Sequence, residues 1–181
     1  MNLEDKKELL RIARKTIEFS LEGKKFELDE KLKKKFSEKK ACFVTLTINN
    51  ELRGCIGSLI ARQELWRDII ENAINAAFYD PRFSPLTKEE FKKIKIEISI
   101  LSEPKKISYE GLEDLKKKIK GKGVILKKGA YSATYLPQVW EDLPNEEVFL
   151  SSLCIKAGLP PNTWKKEKLE VYVYDVEKVR E

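Results

Sequence analysis

Apolar residues change their spacing repeatedly along this chain, and that change constrains the fold more than any other feature. Leu9, Leu10, Ile12, Ala13, Ile17 and Leu21 recur at three- and four-residue intervals behind Asn2, a capping residue, until Gly23 stops the pattern. Residues 24–40 hold eight lysines against four acids around Leu28, Leu32 and Phe36, which predicts a short helix or loop with a thin apolar face. The period then changes. Ala41–Ile48 is rich in β-formers, Asn49-Asn50 supplies turn residues, and residues 52–57 return as the second arm of a hairpin. Between 63 and 78, Leu65, Trp66, Ile69, Ile70, Ala73, Ile74, Ala76 and Ala77 restore a helical stripe that Asp80-Pro81 ends.

Beyond it, Thr87 is placed to cap a short helix through Phe91. Ile94, Ile96, Ile98 and Ile100 then alternate with Lys95, Glu97 and Ser99 as a half-buried strand whose second face carries Glu97 and Ser99. Ser108 is predicted to cap a helix through Leu112, Leu115 and Ile119, followed by strands at 124–127 and 131–135, a helix at 146–157 stopped by Gly158, and a closing strand over 169–175. Helices and hairpins without regular β-α-β alternation predict an α+β fold, with a mixed or mostly antiparallel sheet and flanking helices. At 181 residues, one domain over 1–181, built as two small lobes, is expected.

The chain has no histidine, which removes Ser-His-Asp and Cys-His catalytic units, imidazole metal sites and His-ligated haem. Cys42, Cys55 and Cys154 are odd in number and widely spaced, unlike a disulfide scaffold or a zinc ribbon, so no structural metal and no cofactor are expected. A disulfide between two of them stays open at this level. Net charge is +6, yet residues 116–128 alone carry seven lysines and no acid. Such a run attracts phosphate, but it contains no aromatic residue to stack a base, so a solvated lysine face is favoured over nucleic-acid binding. Lys/Glu richness with one Met and two Gln matches heat-adapted proteins. No apolar stretch approaches the ~20 residues of a membrane span, and a cytoplasmic location is expected.

The segment Leu52-Arg53-Gly54-Cys55-Ile56-Gly57 stands out because glycine weakens a strand, and two of them flank a cysteine. Two readings fit. A ligand or another segment approaches the main chain closely there, with Arg53 offering a planar fork to an anion; or the segment is a β-bulge or bend around a buried, inert Cys55. Residue types alone favour the bend.

This hexapeptide resembles the hallmark of the AMMECR family at all six positions. Phe43-Val44-Thr45-Leu46, Asp80-Pro81-Arg82-Phe83, Glu97-Ile98-Ser99, the segment Ala133-Thr134-Tyr135-Leu136-Pro137-Gln138-Val139-Trp140 and Cys154-Ile155-Lys156-Ala157-Gly158-Leu159 are similar to the same family, so the resemblance spans nearly the whole chain. It implies an α+β domain of two lobes with the hexapeptide lining a cleft between them. It implies no particular reaction; some bacterial members are associated with Memo-type and radical-SAM proteins.

The expected function is a cleft in which Arg53, Gly54, Gly57, Asp80, Arg82, Glu97 and Gln138 recognise a small anionic or polar ligand or a partner peptide. The alternative is an enzyme with Cys55 as thiolate nucleophile, Arg53 or Arg82 stabilising the anion, and Asp80 or Glu97 orienting or moving a proton. Arg82 has a simpler reading as the ion-pair partner of Asp80. If Gly54 admits a ligand, Gly54→Ala should leave the fold near intact; if it supplies a positive φ, the change should cost ~1 kcal/mol or more.

Overall fold

The computed structural model describes all 181 residues, Met1–Glu181, and divides them into two compact units. The first holds Met1–Leu101 with Glu177–Glu181, and the second Ser102–Val176. The architecture is α+β.

In the first unit, helix α1 (Leu3–Leu21) starts where the Asn2 side chain accepts the Asp5 N–H. A short α2 (Glu30–Lys35) capped by Asp29 follows. Strands β1 (Ala41–Ile48) and β2 (Glu51–Gly57) form the expected hairpin, turning through Asn49 and Asn50, both at positive φ as a two-residue hairpin loop requires. Helix α3 (Leu65–Phe78), helix α4 (Lys88–Phe91) and strand β3 (Lys95–Leu101) complete the segment; α4 begins with a reciprocal Thr87–Glu90 capping box. Strands run in the order β2-β1-β3-β8, with β1 antiparallel to both neighbours and β8 (Val176–Arg180) on the far edge.

Both long helices bury their apolar stripes on one face of this sheet. Ile12 and Ile17 of α1, Ile69, Ala73 and Ala76 of α3, Val44 and Leu46 of β1, and Ile96 and Ile98 of β3 share one core, joined by Val179 of β8. Alanines on α3 let the helix lie close to the strands.

The second unit carries β4 (Lys105–Ile107), α5 (Gly111–Ile119), β5 (Gly123–Lys128), β6 (Tyr131–Tyr135), α6 (Val139–Asp142), α7 (Glu146–Lys156), α8 (Thr163–Lys166) and β7 (Glu170–Tyr174). Its sheet runs β4-β7-β5-β6, antiparallel throughout. Leu115, Ile119, Val124, Leu126, Phe149, Leu153 and Trp164 form its separate core, where Trp140 stacks on Phe149 at 3.8 Å.

Three local expectations need correction. Ser108 does not cap α5, which begins at Gly111 behind Glu110; the Ser108 carbonyl instead accepts a hydrogen bond from Lys118. The strand at 170–174 does not close the chain, because β8 follows and joins the first sheet. Ser99 is buried rather than on an open face. Four elements had no sequence signal strong enough to read. These are β4 and β8, with one and two apolar residues, and the four-residue helices α6 and α8.

Candidate functional site

The hexapeptide occupies β2, an edge strand, and its register decides what each side chain faces. Ile48 pairs with Glu51 and Thr47 with Leu52, but Leu46 pairs with Gly54 and Thr45 with Cys55. Arg53 is therefore an extra residue, a β-bulge, and beyond it the alternation is inverted. Gly54 turns to the helix-covered face with Leu46, while Cys55 joins Thr45 on the opposite face. An unbroken hairpin would have placed Cys55 among Val44 and Leu46 in the core.

This register explains both glycines. A Cβ on Gly54 would lie 2.1 Å from the Ala76 carbonyl oxygen of α3, and one on Gly57 would lie 2.3 Å from the Cys42 carbonyl oxygen and 2.5 Å from the Phe43 ring. Neither residue adopts a positive φ. What comes close to them is the protein itself: main chain at Gly54, main chain and the Phe43 ring at Gly57.

The outer edge of β2 has no strand beside it, and the turn after α3 takes that place. The Cys55 N–H donates to Asp80 Oδ2 at 2.9 Å, and Arg82 Nη2 donates to the Cys55 carbonyl at 3.3 Å. Asp80, 3% exposed, also accepts from the Arg82 N–H at 3.1 Å, Arg82 Nε at 3.0 Å and Arg82 Nη2 at 2.8 Å. Arg82's side-chain bonds, helped by the two N–H groups, hold the Asp80 carboxyl well below the usual carboxylate range. The Arg82 side chain stays 54% exposed.

Arg53, displaced by the bulge, reaches α4. Its Nε meets Glu90 Oε2 at 2.5 Å and its Nη2 meets Glu90 Oε1 at 3.0 Å and the Ser84 carbonyl at 2.7 Å. Nη1 is buried without an acceptor. Arg53's bonds lower the Glu90 pKa, and Glu90 raises that of Arg53. Both guanidinium groups lie over the Phe83 ring, 5.6 Å and 5.5 Å from its centroid.

The Cys55 thiol is half-buried, with Thr45 Oγ1 at 3.2 Å. Thr45 pairs in turn with Glu97 across β3, so Cys55, Thr45 and Glu97 form one row over three strands. Glu97 is engaged on its other side by Arg180 and by Lys178 at 3.7 Å. All three cysteines are free thiols; burial pushes the thiols of Cys42 and Cys154 up. A second buried carboxylate acts as Asp80 does. Asp68 accepts the Cys42 N–H at 2.8 Å, with Asn72 bonded to both Asp68 and the Cys42 carbonyl. No three Cys, Asp or Glu side chains converge on a point that could hold a metal ion.

Arg53, Cys55, Asp80 and Arg82 are thus held together by direct hydrogen bonds or shared partners, with Gly54 and Gly57 in the same strand and Glu97 two strands away. Gln138 lies in the second unit, just before α6. Thr45, Phe83, Ser84 and Glu90 were not among the expected site residues. Glu90 was visible as the third residue of the Thr87 box, whereas Thr45 needed the bulge.

Five of the seven lysines in the run have acidic partners outside it. Lys116 pairs with Glu113 and Glu147, Lys118 with Asp114, Lys120 with Glu146, Lys122 with Asp175 and Lys128 with Glu167. Thirteen lysines face eleven acids in the unit that contains it. No helix is long and apolar enough to cross a membrane.

Comparison with known proteins finds relatives over nearly the whole chain. Protein NEQ441 of Nanoarchaeum equitans is 44% identical over 171 residues, covering 92% of this chain and 95% of its own. Protein MK0488 of Methanopyrus kandleri is 40% identical over 188 residues, covering 98% and 88%. The crystal structure of the uncharacterised protein PH0010 from Pyrococcus horikoshii matches with a TM-score of 0.82 at 38% identity, over 98% of this chain and 92% of that one. The AMMECR1 family model matches residues 10–179, and the chain belongs to the AMMECR1 family.

Proposed function

We propose that the surface formed by residues 53–57 and the turn 80–84 binds a small anionic or polar ligand, or an acidic group on a partner peptide. Arg82 supplies the charge, and Cys55 and Thr45 line the contact. The observation that carries this reading is the Arg82 guanidinium, half exposed yet locked in orientation by both oxygens of buried Asp80. A cation already fixed loses little freedom when an anion docks, which favours binding. The buried Arg53 Nη1 offers one further donor to an acceptor that reaches it.

Binding is favoured over nucleophilic catalysis by the state of the carboxylates. Asp80, Glu90 and Glu97 are each engaged by an arginine, and the hydrogen-bonding side chain at the Cys55 sulfur is a threonine. None is free to accept the thiol proton. The paired lysines of the second unit likewise support a solvated surface over a nucleic-acid site. In this reading the protein works in the cytoplasm, without a cofactor, on a small ligand or a protein partner, and its link to Memo-type or radical-SAM proteins rests on family association alone.

Alkylation of Cys55 by iodoacetamide tests the reading, with buried Cys42 and Cys154 as unreactive references within the same molecule. Inorganic phosphate, succinate and an acidic peptide are the probes. At least one should slow Cys55 alkylation in a saturable way, and Arg82→Gln should weaken that protection by about tenfold. Equal protection of the variant, or none from any probe, would remove the site. Alkylation much faster than that of a free cysteine at the same pH would turn the assignment to the nucleophile.

A further inference from the structure

Helix α1 carries a feature that the hexapeptide site does not use. Beside it lies a cavity of about 400 Å³, lined by Leu10 and Phe91, by the cations Lys7, Arg11, Arg14 and Lys15, and by the carboxylates Glu18 and Glu181. These cations occupy positions i, i+4, i+7 and i+8, one face of the helix. Two of them are committed within the fold. Arg14 forks onto Glu181 with Nε and Nη2, each at 2.6 Å, bonds the Ile94 carbonyl at 2.9 Å and lies over Phe91; Lys15 pairs with Glu18 at 2.6 Å.

Lys7 and Arg11 differ. Asp5, Lys6, Glu8, Arg14, Lys15 and Glu18 on the same helix all have ion-pair partners, whereas Lys7 and Arg11, like Glu4, have none, and the two cations stand one turn apart as like charges. Such a pair opposes helix formation, and neither cation forms an ion pair with Glu4 or Glu8, the acids three residues before them. Arg11 also borders a neighbouring cavity of about 350 Å³, lined by Phe19, Phe26 and Leu28 and by the charged residues Glu8, Lys15, Glu27 and Asp29.

From these observations we propose a second binding site on α1 for a small organic anion: a carboxylate on an aliphatic or aromatic body. Lys7 and Arg11 receive the charged end, while Leu10 and Phe91 receive the apolar end. Cavity size sets the class, because about 400 Å³ lies at the small-molecule end of ligand pockets. Charge and floor set the chemistry, since an inorganic anion would leave the apolar floor uncovered and a neutral ligand would leave the cations unmatched.

The test uses the full chain with labelled leucine methyl groups, Leu10 being the reporter, titrated with 4-phenylbutyrate, the neutral alcohol 4-phenylbutan-1-ol and inorganic phosphate. The carboxylate is expected to shift the Leu10 methyls and to bind at least about tenfold tighter than either of the others. The double variant Lys7→Glu/Arg11→Glu should lose at least about tenfold in carboxylate affinity and keep its affinity for the alcohol. Both side chains are exposed; should the double variant unfold, Arg11→Gln alone is read for a smaller loss in the same direction. The proposal is overturned if acid and alcohol bind alike, if phosphate binds as tightly as the acid, if the variant binds as wild type does, or if Leu10 does not respond. Cys55 alkylation followed in the same samples keeps this site distinct from the hexapeptide surface.

Discussion

Gly54 shows how much one missing methyl group decides. Its hydrogen lies where a Cβ would stand 2.1 Å from the Ala76 carbonyl oxygen, a main-chain atom in the last turn of α3. Gly54→Ala is therefore expected to cost about 2–3 kcal/mol, the scale of a forced overpacking, and urea unfolding measures it. A variant as stable as wild type would show that β2 and α3 can part without cost. This replaces both sequence-level expectations, since the glycine has ordinary φ and its close neighbour is internal. Asp80 makes the companion prediction. Its carboxyl is depressed by Arg82, so its stabilising contribution is complete above the unfolded-state value of about 4 and is lost as pH falls below it. Asp80→Asn should cost about 1–3 kcal/mol at pH 7, with the gap to wild type closing under strong acid. A gap independent of pH would contradict the ion-pair account.

At the scale of elements, the bulge and the capping box work on the same residues. The bulge sends Arg53 to Glu90, and Glu90 is also the residue that closes the α4 box by accepting the Thr87 N–H at 3.2 Å. The cap and the ion pair therefore hold one carboxylate from two sides. Thr87→Ala should cost about 1 kcal/mol, and combined with Arg53→Ala in a double-mutant cycle it should deviate from additivity by about 0.5 kcal/mol or more. Strict additivity would mean that Glu90 keeps its position without either partner. The same logic covers the edge of β2. Asp80 and Arg82 satisfy a main-chain N–H and carbonyl that another strand would otherwise pair, a protection that edge strands require.

At the scale of the molecule, the chain order and the compact units do not coincide. The first unit is interrupted by the second and regains Glu177–Glu181 at its end, where Val179 enters the core and Glu181 is clamped by Arg14. A chain ending at residue 176 should lose about 2–4 kcal/mol from the first unit, the scale of one buried valine plus its strand pairing. Amide hydrogen exchange reads this directly. Protection should fall in β1 and α3 and persist in β5 and α7, whose core is separate. Equal loss in both units would show that they unfold together.

The sequence by itself determined the long helices, the 41–57 hairpin, the alternating strand at 94–100 and the α+β class. Each rests on a local period or a local cap, such as Asn2, Asn49-Asn50 and Thr87, which short-range geometry reads without help. It also singled out Cys55, Asp80 and Arg82 as residues of interest. Tertiary structure alone decided which way Cys55 faces, because one extra residue at Arg53 inverts a two-residue period, and no local pattern marks where that residue goes. It alone decided why Gly54 is glycine, since the atom it makes room for lies 22 positions away on α3. The lysine run followed the same rule. Charges that stand unopposed along the chain are opposed in space by acids from other elements, because ion pairing depends on distance and not on sequence order.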